Sequence, residues 1–336
     1  MIQLPRLQKS IPITDRSSVG EARRAANAVA LSMGFNEQKR SDLSIVVTEL
    51  GNNVLLHART GRILICPVEA AATCLDIVAV DIGPGIRDVG RAFEDGVSTG
   101  GTAGQGLGAI KRLSDTVSLY SVPGRGTVVF CRFGLSAAPE NIPVGVISIP
   151  IHGEVECGDS YLALPGPRRS VYMIADGLGH GPVASEAARE AVKSVQACAQ
   201  ESLTEVMNAT HNALKATRGA AMSIAVVDHA RSLVTYAGVG NVTAAVGNGA
   251  STRNMVSRNG TLGAMLPRVH EYTYPFEPGM VLLMYSDGLN SKCSLSGYPG
   301  IMSRPPSLIA GLLFRDFSRQ RDDATVLVAS LKKESL

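Results

Sequence analysis

Four acidic positions in the C-terminal half stand where apolar stretches end: Gly158-Asp159, Asp176-Gly177, Asp287-Gly288 and Arg321-Asp322-Asp323. Carboxylates at strand ends point away from a core and can gather at one sheet edge. As hard oxygen donors they suit Mg²⁺ or Mn²⁺. Two such ions sharing a water lower its pKa and direct it in line at a phosphorus. Asp-Gly is also a frequent turn pair, so one copy means little. Four acidic spots, two of them in the near-matching phrases ADGLGHG and YSDGLN, make coincidence a poor explanation.

The N-terminal half holds a different set. Glu49, Asn53 and His57 are spaced four apart in a stretch with helical periodicity, which puts them on one stripe. Asp81-Ile82-Gly83-Pro84-Gly85 follows an apolar run, and the series from Gly100 through Gly104, Gly106 and Gly108 opens another helix. A carboxylate beside glycines suits a flat base lying close to backbone. Glycines at a helix start let N–H groups approach phosphate. No Gly-Lys-Ser/Thr ends the glycine series, so it is not a Walker A loop. It follows a long loop, so it is not a dinucleotide fingerprint either.

The elements needed to position these residues are legible. Helices are expected over 18–34, with Ser17 or Ser18 as N-cap, and over 37–57, where Leu43, Val46, Val47, Leu50 and Val54 recur at helical spacing. Strands are expected over 62–68 and 75–80, then a helix over 107–114 and a hairpin over 116–133. Periodicity breaks in GLSAAPENIP, which suggests a domain over 1–135, a linker over 136–143 and a second domain over 144–336. Many strands and few helices follow, as in a sandwich of sheets covered by helices.

With 336 residues, 45% of them hydrophobic, the chain can bury two cores. The net charge of +3 comes from scattered basic residues, so no nucleic-acid partner is expected. The six cysteines show neither zinc nor disulfide spacing. No apolar run approaches the roughly 20 residues that cross a bilayer. The expectation is a cytoplasmic protein without a membrane partner.

TELGNNVLLHA, DIGPGI and GQGLGAIKRLSD, in this order, resemble the N-box, base-binding box and phosphate lid of the GHKL ATPase superfamily, and within it the RsbT- and RsbW-type serine kinases. The resemblance spans 18–133 and implies an α/β sandwich that binds ATP. It gives Asn53 to Mg²⁺, Glu49 to the attacking serine, Asp81 with Gly83 and Gly85 to adenine, and Gly104, Gly106 and Gly108 to the phosphates. GRGTVV is similar to the family's last strand, with Thr127 near the adenine. Gly51 departs from a good helix, at a cost of about 1 kcal/mol.

GDSYL, ADGLGHG, GTLGAMLP, YSDGLN and RDDATVLV resemble the SpoIIE-type metal-dependent phosphatases, including those of RsbX and RsbU type, over 144–331. That implies an α/β/β/α sandwich. It makes Asp159, Asp176, Asp287 and Asp322 the Mg²⁺ or Mn²⁺ ligands, aided by the Gly177 carbonyl, with Asp176 and Asp287 central to catalysis. Asp322 and Asp323 could exchange roles. The two resemblances together imply a bifunctional switch acting on STAS-domain proteins of RsbS or RsbR type. The alternative is an N-terminal nucleotide-gated module that sequesters a regulator, with only the phosphatase catalytic.

Overall fold

A computed structural model describes residues 4–69, 73–89, 106–136 and 142–332. Gly104 and the glycines just before it lie outside these residues. By contacts the chain divides into two units, one of residues 8–142 with 307–315, the other of residues 1–7, 143–306 and 316–336.

In the first unit, β1 (Lys9–Ile13), α1 (Arg16–Ser32), α2 (Glu37–Asn53), β2 (Gly61–Val68), β3 (Cys74–Asp81), α3 (Gly106–Leu113), β4 (Thr116–Ser121) and β5 (Thr127–Gly134) build a two-layer fold. The sheet is antiparallel in the order β1-β2-β3-β5-β4. Its strands alternate between faces, as period-two geometry requires. Ile63, Ile65, Ile77, Ala79 and Cys131 face α1 and α2 in one core with Val46, Val47 and Leu50. Asp15, rather than Ser17 or Ser18, caps α1: its Oδ1 accepts from Ser18 N at 2.8 Å, while Ser18 Oγ accepts from Asp15 N at 3.2 Å. A Cβ on Gly51 would lie 2.8 Å from Val19 Cγ1. The helix tolerates the poor propensity of Gly51 because α1 approaches so closely there.

The opposite face of the sheet is also buried, by residues 307–315 of a helix over Pro306–Phe317, which is α6 in chain order. Asp76 on β3 and Arg132 on β5 pair across this face at 2.7 and 2.8 Å, with 1% and 2% of their surfaces exposed. Ser307 Oγ donates to Asp76 Oδ2 at 2.7 Å, and Arg315 Nη1 donates to the Asp81 carbonyl at 2.9 Å. A buried ion pair with its remaining lone pair bonded is the form in which burial of charge is tolerated.

The second unit contains β6 (Val144–Ile149), β7 (Asp159–Leu164), β8 (Arg169–Gly177), α4 (Gly181–Ala197), α5 (Leu203–Ala213), β9 (Ala220–Asp228), β10 (Leu233–Val239), β11 (Thr243–Gly247), β12 (Thr252–Asn254), β13 (Tyr272–Pro275), β14 (Val281–Tyr285) and β15 (Ala324–Ser330). They form two five-stranded sheets, β13-β10-β9-β8-β7 and β12-β11-β14-β15-β6. α4 and α5 cover the first sheet, with Ala188, Ala191, Val192, Val206 and Met207 packed on Met173, Met222 and Ile224. β14 lies against β8, and β15 and β6 against β7, so the sheets meet. Pro182 stands in the first turn of α4, where a missing N–H costs nothing. No helix among the described residues is long and apolar enough to cross a membrane.

Candidate functional site

In the first unit, α2 ends at Asn53 and the chain continues as a π-helical turn over Val54–Ala58. Glu49 and Asn53 therefore share a helical stripe, and His57 lies on the wider turn beyond it, exposed. The start of α3 closes on that stripe. A Cβ on Gly106 would lie 3.2 Å from Glu49 Oε2 and 3.6 Å from Asn53 Oδ1. Glycine is what lets this backbone approach both side chains. Gly108, one residue pair further on, is buried in α3.

At the far end of β3, Asp81 Oδ1 accepts from Gly83 N at 2.8 Å and from Thr127 N at 3.2 Å. Thr127 Oγ1 pairs with Ser121 Oγ at 3.0 Å, and Ser121 Oγ accepts from Ile86 N at 2.8 Å. Both backbone bonds use Oδ1, which leaves Oδ2 to accept from an amino group. Burial raises the Asp81 pKa, and the Gly83 and Thr127 N–H groups work against that rise. Gly85 (φ 73°) turns the chain tightly against Val122. Glu49, Asn53 and Gly106 thus gather at one place and Asp81, Gly83, Gly85 and Thr127 at another. Gly104 lies outside the described residues.

In the second unit, the β7–β8 register sets Asp159 directly across from Asp176, and Gly177 N donates to Gly158 O at 3.1 Å. Ser286 Oγ donates to Asp159 Oδ2 at 2.6 Å, and Asn241 Nδ2 donates to Asp287 Oδ2 at 2.7 Å. Asp323 is 3% exposed, and its Oδ1 accepts from Ile151 N at 2.8 Å. Asp322 is exposed, and its Oδ1 accepts from Asp323 N at 2.9 Å. His180 turns its Nδ1 to Glu154 Oε1, 3.0 Å away, and so orders its loop.

The carboxyls of Asp159, Asp176, Asp287 and Asp323 are held above the usual range. Burial is the main cause for Asp176, followed by the charges of Asp159, Asp287, Asp322 and Asp323. Burial also raises Asp159, Asp287 and Asp323, with neighbouring carboxylates adding to each. Asp323 Oδ2 is buried and makes no hydrogen bond of good geometry, with the Gly158 N–H and the Cys157 thiol near the carboxyl. An orphaned buried acceptor among like charges is what a bound cation satisfies. Among the described residues no three of these groups close into a finished ligand shell. They stand within electrostatic reach of one another rather than at ligation distance, and a divalent cation fits the donor set. Asp159, Asp176, Asp287 and the Asp322-Asp323 pair are the residues that could hold it.

Carboxyls with raised folded pKa values keep protons that the unfolded chain has already lost, so stability is full below the ordinary carboxylate pKa of about 4. It falls as pH rises through the raised values. Metal-free protein should therefore lose roughly 3 °C or more of melting temperature in this unit between pH 5 and pH 8. Added Mn²⁺ should restore more at pH 8 than at pH 5. A melting temperature independent of pH would contradict the crowding of these carboxyls.

Ser286, Asn241 and Thr325 were not singled out by residue type alone. Ser286 holds Asp159, donors from Ser286 and Thr325 both restrain its pKa, and Asn241 holds Asp287. Such partners orient ligands. Two of them were in plain view, Ser286 before the aspartate of YSDGLN and Thr325 inside RDDAT.

Comparison with known proteins matches both units. The model of the family "Histidine kinase-like ATPase domain" matches residues 12–132, and "Stage II sporulation protein E (SpoIIE)" matches residues 166–332. "Serine/threonine-protein kinase RsbT" of Bacillus subtilis (strain 168) is 37% identical over 123 residues, 36% of this chain and 92% of that protein. "Phosphoserine phosphatase RsbX" of the same organism is 27% identical over 152 residues, 45% of this chain and 76% of that protein. A solved chain described as "The bacterial stressosome: a modular system that has been adapted to control secondary messenger signaling" has a TM-score of 0.51 at 26% identity, covering 56% of this chain and all of that one. The chain belongs to the histidine kinase-like ATPase family, with RsbT among its relatives, and joins to that domain a SpoIIE-type phosphatase domain.

Proposed function

We propose that this chain both adds and removes phosphate on a serine of STAS-domain proteins, as a self-contained partner-switching regulator. The observation that carries the first half is the meeting of Glu49 and Asn53 with the glycine start of α3, opposite an Asp81 whose Oδ1 is already bonded. ATP is the substrate there. Asp81 accepts from the adenine amino group, and Thr127 supports that carboxylate. The acceptor serine oxygen forms a bond to the γ-phosphorus, its proton passes to Glu49, and ADP leaves. Asn53 is suited to hold Mg²⁺ beside the phosphates.

The second half rests on the carboxylate set of Asp159, Asp176, Asp287 and Asp322-Asp323 with its orphaned oxygen. Mg²⁺ or Mn²⁺ bound by these residues would lower the pKa of a water there. Ser286 and Asn241 keep Asp159 and Asp287 in place, and the Gly177 carbonyl adjoins Asp176. A bond from water oxygen to phosphorus forms as the serine Oγ–phosphorus bond breaks. Support for STAS-type substrates comes from the relatives, a kinase and a phosphatase named for RsbT and RsbX and a solved stressosome component.

Transfer of label from γ-labelled ATP to a STAS-domain protein tests the kinase half. Asn53→Ala should reduce transfer to background. Transfer that persists in this variant sinks the assignment. ATP-dependent binding of the partner with no label in the wild type would instead favour a nucleotide-gated binding module.

A further inference from the structure

Five carboxylates surround the proposed phosphatase centre, and they outweigh two divalent cations by one charge. A phosphoserine brings a further charge of about −1.5 to −2. Something cationic from the protein has to meet it. Two arginines stand at the two Asp-Gly turns that lead out of the site.

The turn after β8, Asp176 to Gly181, is bonded to the segment before β9: Leu178 N donates to Gly219 O at 3.0 Å. That pairing continues the β8–β9 register in which Gly177 faces Ala220, and it sets Arg218 opposite Gly179. A Cβ on Gly179 (φ 99°) would lie 3.1 Å from Arg218 Nη1. Any side chain at 179 would thus crowd the guanidinium. Thr217 fixes the same turn, its Oγ1 accepting from Gly219 N at 3.0 Å and donating to Leu214 O at 2.8 Å.

The turn after β14, Asp287-Gly288, is bonded likewise. Arg319 N donates to Gly288 O at 2.8 Å, and Leu289 bridges to Ser318. Gln320 next to it adopts a left-handed conformation (φ 55°), a strain of the kind that persists where the surroundings impose it. The bond to Gly288 O fixes the Arg319 backbone against the residue that follows Asp287. Both arginines are exposed. Among the described residues, neither guanidinium has a hydrogen bond or an ion pair within 4.0 Å.

We infer that Arg218 and Arg319 form a two-sided clamp for the phosphate of the substrate, one guanidinium at each Asp-Gly turn of the carboxylate centre. The guanidinium fork matches phosphate oxygens in pairs. A clamp from both rims explains how an acidic centre accepts a dianion, and it selects a phosphomonoester over a neutral ester. The inference rests on the phosphatase reading above and adds the substrate-binding residues to it.

The test uses the full chain loaded with Mn²⁺ and inorganic phosphate as probe, with affinity measured by calorimetry and by competition against p-nitrophenyl phosphate. Arg218→Ala and Arg319→Ala should each weaken phosphate about 10-fold. The double variant should weaken it more than either, and Arg→Lys should recover part of the loss. Mn²⁺ affinity and melting temperature should stay at the wild-type values. Phosphate affinity of the double variant within 2-fold of wild type would overturn the clamp. An equal fall in Mn²⁺ affinity would overturn it too, because the arginines would then serve the metals. Absence of hydrolysis by the wild type would sink the phosphatase reading, while the phosphate titration would still decide the clamp.

Discussion

Asp176→Ala is expected to lower Mn²⁺-dependent hydrolysis of p-nitrophenyl phosphate by a factor on the order of 10²–10³, and to leave the metal-free protein at least as stable as before. Both halves have one cause. Asp176 is held protonated above its usual range by burial and by Asp159, Asp287, Asp322 and Asp323. Removing it spares the empty centre the cost of keeping a buried carboxyl protonated and removes a ligand from the loaded one. Functional sites often carry such strain at the expense of stability. Hydrolysis rates with a melting curve at pH 8 check the pair of effects. Near-normal activity in this variant would refute the assignment, and a large fall in melting temperature would make Asp176 a structural residue.

Asp76→Ala is expected to be the most destabilising single change in the first unit, by about 3–5 kcal/mol. Arg132 would be left charged at 2% exposure, with only Ser307 Oγ 3.4 Å away. Ser307 would also lose the acceptor at 2.7 Å that ties residues 307–315 to the sheet. Urea unfolding followed by tryptophan-independent circular dichroism measures the loss, since the chain has no Trp. Replacing both charges, Asp76→Leu with Arg132→Met, should recover most of it, because an apolar pair leaves no unpaired charge. A loss below about 1 kcal/mol in Asp76→Ala would contradict the burial that defines this pair.

Elements with a strong local pattern were legible in the sequence. The apolar spacing of Leu43, Val46, Val47 and Leu50 marks α2, and the β-branched runs mark β2, β3 and β15. Elements decided by distant partners were not. Nothing local in Pro306–Phe317 tells that residues 307–315 belong with the first unit, where β3 and β5 hold Asp76 and Arg132 for Ser307 to meet. The end of α2 shows the same limit. A four-residue stripe would carry His57 along with Glu49 and Asn53, and the π-helical turn after Asn53 ends it. Carboxylates at strand ends were visible because Asp-Gly repeats in matching phrases. Of their supporters, Ser286 and Thr325 stand inside those phrases, whereas Asn241 acquires meaning only from a contact with Asp287 far along the chain. Asp323 shows this most plainly: one residue decides which of two adjacent acids is buried, and the β15 register decides it.

Whether one chain writes and erases the same kind of mark is tested most directly by a two-stage time course. A STAS-domain protein is incubated with the full chain, Mg²⁺ and γ-labelled ATP, ATP is then removed, and Mn²⁺ is added. Label should accumulate on serine in the first stage with Asp176→Ala, reach no higher level with wild type, whose phosphatase centre also takes Mg²⁺, and be absent with Asn53→Ala. In the second stage it should leave as inorganic phosphate with wild type and persist with Asp176→Ala. Label that never appears with Asp176→Ala, or that persists on the protein with wild type after Mn²⁺ is added, would contradict this.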